Sequence, residues 1–320
     1  MMTTPIPSIN AKLVAARAEA LSWQSPYLFL RELSIEAQQA HFGTGAALRF
    51  AAEKQAEILP MSGCEGQWLL QGLAWDTEYF DIATYRLFTG LFAPSISLVS
   101  LQHAAAALRQ QLAARGNYYA FTVVPAEDIQ LLQALTGGGW QLVETRLNFY
   151  CPTNVVLPSP SGVRFARPDE AEHMGRISAT ARNPYDRFHA DPWFGDKRAD
   201  AFLARYAEAA VKDGYADAVL LPDEPGLPVD SFMAIGDTKE LPDLPGSSTS
   251  RILLTAVGPQ NRGWHQKLAA ETIRRAAELD LAYVLMTTQS TNRAVFRTCE
   301  KLGFRLGGTT HVLACHHDNV

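Results

Sequence analysis

LLTAVGPQNRGWHQKL, Leu253 to Leu268, is the stretch on which the reading of this chain turns. An apolar strand-like run ends at Val257, and Gly258-Pro259 breaks it. Gln260-Asn261-Arg262-Gly263 follows, and then an amphipathic helix, Trp264–Leu279, begins. Leu268, Ala269, Thr272, Ile273, Ala276 and Ala277 fall on one stripe of that helix. Its first backbone N–H groups have no partners within the helix and point toward the loop. With the positive end of the helix dipole they form an anion site suited to a pyrophosphate. Gly263 lets backbone approach such a group with no Cβ in the way.

Outward from this loop the pattern alternates. Val163–Arg167 is a short strand, and Pro168, Asp169 and Glu170 open a helix that runs to about Ala181. Asn183–Phe194 is an aromatic-rich loop and Asp196–Asp213 a helix. Ala216–Leu221, Val229–Ile235 and Arg251–Val257 read as strands, with Leu221–Ser250 otherwise loop. Tyr283–Thr288 is a strand, Thr291–Leu302 a helix and Phe304–Cys315 a last strand. Asn292 is placed to cap that helix. Such alternation argues for a sheet with helices on its faces.

TTQSTNRAVFRTCEKLGF (Thr287–Phe304), together with the loop at Gln260 and the opening VRFARPDEAE, resembles the GCN5-related N-acetyltransferases. Their acetyl-CoA loop follows Gln/Arg-x-x-Gly-x-Gly/Ala. Gln260 and Gly263 match it, whereas His265 stands at its last position and Trp264 is larger than usual. Asn292, Lys301, Leu302, Gly303 and Phe304 match the second motif. The resemblance implies an α/β (α+β) fold with a complete acetyltransferase domain in the C-terminal half. It implies acetyl-CoA as cosubstrate, held by Ala256, Val257, Gln260, Arg262, Gly263, Trp264, His265 and Asn292. A backbone N–H near Ala256–Val257 would polarise the thioester carbonyl.

An internal repeat gives the domain plan. AFTVVPAEDIQLLQALTGGGWQLVETRLNFYC (Ala120–Cys151) and VLMTTQSTNRAVFRTCEKLGFRLGGTTHVLAC (Val284–Cys315) align at an offset of 164 residues. Gly139 falls on Gly303, Trp140 on Phe304 and Cys151 on Cys315, so each copy reads strand, short helix, Gly-aromatic turn, strand. Residues 1–62 are expected as a helical extension and 63–152 as an incomplete acetyltransferase-like half. Residues 153–162 lie in a linker rich in Pro, Ser and Gly, and 163–320 form the complete domain. The loop DRFHADPWF (Asp186–Phe194), Thr288-Gln289 and LAWDTEYFDI (Leu73–Ile82) narrow the resemblance to the dTDP-fucosamine N-acetyltransferases. These carry an incomplete half before the catalytic one, and the resemblance implies a nucleotide-linked amino sugar as acceptor.

Acetyl transfer requires a deprotonated amine, a stabilised oxyanion and a proton for the leaving thiolate. The family tyrosine that protonates the thiolate maps to Cys299. A thiol can serve as an acid there or be a small buried hydrophobe. His189 and Asp191 are the candidates for the base, with loop packing as the alternative role for each. His265 and Cys299 also favour a second reading, an acyl-CoA-binding module with weak or no turnover.

Bulk composition bounds the partners. The 320 residues carry a net charge of −5 with 19% charged side chains, which gives no electrostatic case for nucleic acid or an anionic membrane. No apolar run approaches the ~20 residues of a membrane span. Cys64, Cys151, Cys299 and Cys315 form no C-x-x-C pair, so no metal cage is expected. The expectation is a cytoplasmic enzyme acting on a small-molecule amine, with a homodimer compatible with it.

Overall fold

The computed structural model describes residues 8–318. Its strands are β1 Ala56–Pro60, β2 Gly66–Gly72, β3 Ala83–Phe92, β4 Tyr118–Pro125, β5 Gln141–Pro152, β6 Val163–Phe165, β7 Ala218–Pro222, β8 Ser231–Thr238, β9 Thr249–Val257, β10 Tyr283–Gln289 and β11 Arg305–His317. The chain forms two compact units. One runs up to Thr145 and takes in the chain again from Thr309; the other spans Arg146–Gly308.

In the second unit the strands lie in the order β5-β10-β9-β8-β7-β6. The β9–β10 pair is parallel and the others are antiparallel. Side chains along β8 alternate between two cores, as a period of two requires. Met233 and Ile235 join Leu268, Ile273 and Val295, under the helices Trp264–Glu278 and Arg293–Leu302. Phe232 and Ala234 join Met174, Ile177, Ala207 and Ala210, under the helices Ala171–Thr180 and Gly195–Lys212. The expected elements are all present within a few residues; Asn183–Phe194 also contains a short helix, Arg187–Ala190.

The first unit repeats this plan with strand order β1-β2-β3-β4-β11 and a parallel β3–β4 pair. Trp68, Leu70 and Phe92 face the helices Leu98–Ala113 and Ile129–Gly137, where Leu101, Leu108 and Leu131 are buried. Ile58, Leu69 and Leu91 face the other way and pack on Leu13, Val14 and Leu21. Residues 8–62 thus supply the helical layer of this unit, plus β1, rather than standing as a separate extension; residues 1–7 lie outside the described range.

The repeat holds residue by residue. Asp128 caps its helix by accepting the N–H of Leu131, and Asn292 caps the matching helix by accepting that of Val295. Gly139 and Gly303 both take positive φ, 89° and 80°. Trp140 N–H donates to Leu135 O and Phe304 N–H to Cys299 O, each at 2.9 Å. The unit boundaries fall elsewhere than at 152 and 163. Arg146–Pro152 pair in register with β10, and Thr310–His317 pair with β4. The end of each repeat therefore completes the sheet of the other repeat's unit. The stretch 153–162 is coil, tied down by Ser161 N–H to Glu271 (2.8 Å) and by Arg274 to Pro158 O (2.9 Å).

Candidate active site

The β9–β10 ladder runs from Thr249↔Tyr283 to Ile252↔Met286 and stops there. Leu253 is an extra residue on β9 opposite the Ala234/Ile235 step of β8, and such a bulge bends and twists its strand. Beyond it, Leu254–Val257 keep their pairing with β8 while β10 continues to Gln289 without them. The two parallel strands part, and the opening lies beside Ala256 and Val257. Backbone groups of β9 on that side are in position to bond an extended ligand as a further strand would.

The loop after β9 is built to stay open. Gly258 N–H donates to Asp230 O at 2.7 Å, and the Asp230 carboxylate accepts the N–H of Gln260 at 2.9 Å. A Cβ on Gly258 would lie 2.2 Å from that carboxylate, so the contact requires glycine. Asn261 is buried; its Oδ1 accepts from Asp230 N–H and Ser231 Oγ, both at 2.8 Å, and its Nδ2 donates to Pro228 O. Gly263 then takes φ 92°, a conformation other residues resist. Space around its missing Cβ is empty, and no side chain caps the helix that starts at Trp264. Gln260, Arg262 and Gly263 are exposed around this uncapped N-terminus. Asp230 and Asn261 are absent from the sequence-derived set. Asn261 lay inside the quoted loop, while nothing local pointed to Asp230, which is 31 positions before it.

Trp264 and His265 turn inward. The Trp264 ring is buried in the core with Lys267 over it at 4.3 Å, so it offers its backbone and not its side chain to the loop. His265 Nδ1 lies 3.0 Å from Thr298 Oγ1, joining the loop's helix to Arg293–Leu302. Its Nε2 is enclosed without a partner, and burial lowers the imidazole pKa to about 4. His265 is neutral at ordinary pH. Asn292 serves as the helix cap described above.

The candidate proton-transfer residues are engaged elsewhere. Cys299 is in the core under Leu302 and Trp264, and burial pushes its thiol up to about 12. That makes it an acid roughly three-thousandfold weaker than a thiol with an ordinary pKa of ~8.5. His189 has both ring nitrogens committed, Nδ1 to Asp186 at 2.7 Å and Nε2 to Asp200 at 3.1 Å. Burial works against its charge, but the two carboxylates outweigh it and raise its pKa. Arg182 also holds Asp200 and Asp196. Asp191 is buried and turns the loop by accepting Trp193 N–H at 3.1 Å. In this structure Cys299 packs in the core, and His189 and Asp191 are held within the aromatic loop, which matches the packing role given above as the alternative for each. At the open end of β10, Asn183 Nδ2 donates to Gln289 Oε1 at 2.6 Å and Thr287 Oγ1 to Asn148 Oδ1 at 2.9 Å.

A similar architecture is known among solved structures. A GCN5-related N-acetyltransferase from Sphaerobacter thermophilus superposes with a TM-score of 0.55 at 12% identity, over 95% of this chain and 91% of that one. The chain has the fold of the GCN5-related N-acetyltransferases. A functionally unknown conserved protein from Staphylococcus epidermidis gives a TM-score of 0.52 at 14% identity, over 77% of this chain and 90% of that one. For a GCN5-related N-acetyltransferase from Kribbella flavida the values are 0.47 and 15%, over 96% and 95%. No family model matches the sequence, and no curated relative does. Among the described residues no helix is long and apolar enough to cross a membrane, and no cluster of His, Cys, Asp and Glu could hold a metal ion.

Proposed function

We propose that this chain is an acetyl-CoA-dependent N-acetyltransferase acting on a small amine. The observation that carries the reading is the uncapped helix N-terminus behind Gly263, set at the end of a strand that has parted from its parallel neighbour. The helix end suits a pyrophosphate and the parting suits an extended thioester chain. Gln260, Arg262 and Gly263 surround the phosphates in this reading, and backbone near Ala256–Val257 polarises the thioester carbonyl. The amine attacks that carbonyl, forming the C–N bond; the C–S bond then breaks and CoA leaves as thiolate. With His189 and Asp191 committed to the loop, the amine attacks in its neutral form, the nitrogen gives up a proton to solvent once the C–N bond has formed, and solvent protonates the thiolate.

The acceptor enters beside the open end of β10, where Asn183, Asn148, Thr287 and Gln289 offer polar groups for a hydroxylated or amide-bearing substrate. A nucleotide-linked amino sugar is the narrower form of this proposal, supported by the resemblance of Asp186–Phe194 and Thr288-Gln289. Thiol release from acetyl-CoA across a panel of amines tests the reading, together with calorimetric titration of CoA. Turnover with an amine supports it. Absence of CoA binding sinks it. Binding without turnover on any amine establishes the second reading, an acyl-CoA-binding module, which the buried Cys299 thiol favours.

A further inference from the structure

The first unit contains the same parting of strands. Its β3–β4 ladder stops at Leu87↔Thr122, at the same point in the repeat as Ile252↔Met286, and a bulge at Phe88 follows at once, just as Leu253 follows Ile252 in β9. What differs is the occupant. Arg17, at the break between the helices Ala11–Ala16 and Ala18–Ser22, is 5% exposed. Its Nε donates to Gly90 O on the departing part of β3, at 3.2 Å. Its Nη2 bonds Asp128, the helix cap just beyond β4, at 2.5 Å. The guanidinium lies 4.2 Å from the centre of the Phe92 ring at the end of β3. One side chain thus spans both lips of the opening. The residue matching Asp128 in the second unit, Asn292, caps its helix without such a partner. The turn that corresponds to the Gly263 loop is closed too, because Ser97 caps the helix Leu98–Ala113 by accepting Ser100 N–H at 3.1 Å.

We propose that the first unit is a blind copy of the second: Arg17, bridging Gly90 and Asp128, fills the slot that a thioester takes between β9 and β10. The chain accordingly carries one acyl-CoA site, and its N-terminal helices include the fixed occupant of the other. The site count rests on the proposed function; the role of Arg17 does not. An arginine suits this slot because a fork of donors satisfies a strand carbonyl and a carboxylate together, as two separate neutral groups would not.

The test has two arms on the full chain. Titration with CoA is expected to give one equivalent, lost in Gly263→Asp; two equivalents in the unchanged protein overturn the proposal. In the second arm, Arg17→Met leaves Asp128 buried without its cation, and the thermal midpoint is expected to fall by on the order of 10 °C. The double variant Arg17→Met with Asp128→Asn restores at least half of that loss, since the amide keeps the helix cap, as Asn292 does, and leaves no orphaned charge. An unchanged midpoint in Arg17→Met overturns the assignment, as does a double variant no better than the single one. If no CoA binds at all, the acetyltransferase reading fails, while the thermal arm still decides whether Arg17 fills the slot.

Discussion

Two turns in this molecule follow the same course and end in opposite chemistry. After β3 the chain crosses Ala93–Ser97 and enters Leu98–Ala113; after β9 it crosses Gly258–Gly263 and enters Trp264–Glu278. In the first, the Ser97 hydroxyl satisfies an N–H of the opening helical turn. In the second, Gly263 supplies no side chain, adopts positive φ and leaves the helix end bare. A helix N-terminus satisfied from within has little left for an anion, and one left bare retains its donors and its dipole. The repeated scaffold therefore does not by itself decide which helix end keeps its donors free; the residue before the helix does.

The largest effect expected from this contrast is at Gly263. A carboxylate there, in Gly263→Asp, repels phosphate and strains the backbone, and CoA affinity is expected to fall at least a hundredfold by calorimetry. Unchanged affinity would remove the contrast altogether. Gly263→Ser imports the first unit's cap into the second, with a loss of roughly tenfold expected. Next is His189. Its pKa is raised in the folded protein, so its pairing with Asp186 and Asp200 contributes fully below pH 6.5 and is lost as pH rises through the raised value. His189→Ala is expected to cost roughly 2–3 kcal/mol near pH 6 and less at pH 9, with CoA affinity unchanged. A stability loss independent of pH would deny the charged pairing.

His265 runs the other way. Its lowered pKa means that the unfolded chain takes up the proton first, so stability declines as pH falls from 6.5 toward about 4, and His265→Gln flattens that decline in urea titrations. Cys299→Ala should leave kcat within about twofold and cost roughly 1–2 kcal/mol through the lost core volume. A tenfold fall in kcat would return Cys299 to the chemistry. The smallest change is Ser97→Ala, about 1 kcal/mol of stability with no effect on CoA, which separates a cap that only holds a helix from one that excludes a ligand.

Much of the second unit was legible because its signals are local. The strand, Gly-Pro break and amphipathic stripe around Gln260 lie within the 25 residues Leu253–Ala277, and Asn292 caps the helix its position promised. The repeat at 164 residues was legible for the same reason. The partners of the proton-transfer candidates were not legible because they are distant in sequence. Nothing near His189 shows that the helix Gly195–Lys212 will bring Asp200 to its second nitrogen. For Cys299 a signal existed: Val295, Cys299 and Leu302 are spaced four and three apart, which puts the thiol on the buried stripe of its helix. Arg17 carried one as well, a charge on the same face as Leu13, Val14 and Leu21. The destination of β5 and β11 was not legible, since register and partner choice depend on strands far away in sequence.

The traded ends of the two repeats have a consequence for the order in which the protein matures. Val124 in β4 pairs with His311, so the first unit's sheet waits for residues translated 187 positions later. A nascent chain halted anywhere before Thr309 would hold β4 with one flank unpaired, a surface prone to association. The half that is made first is thus sealed last.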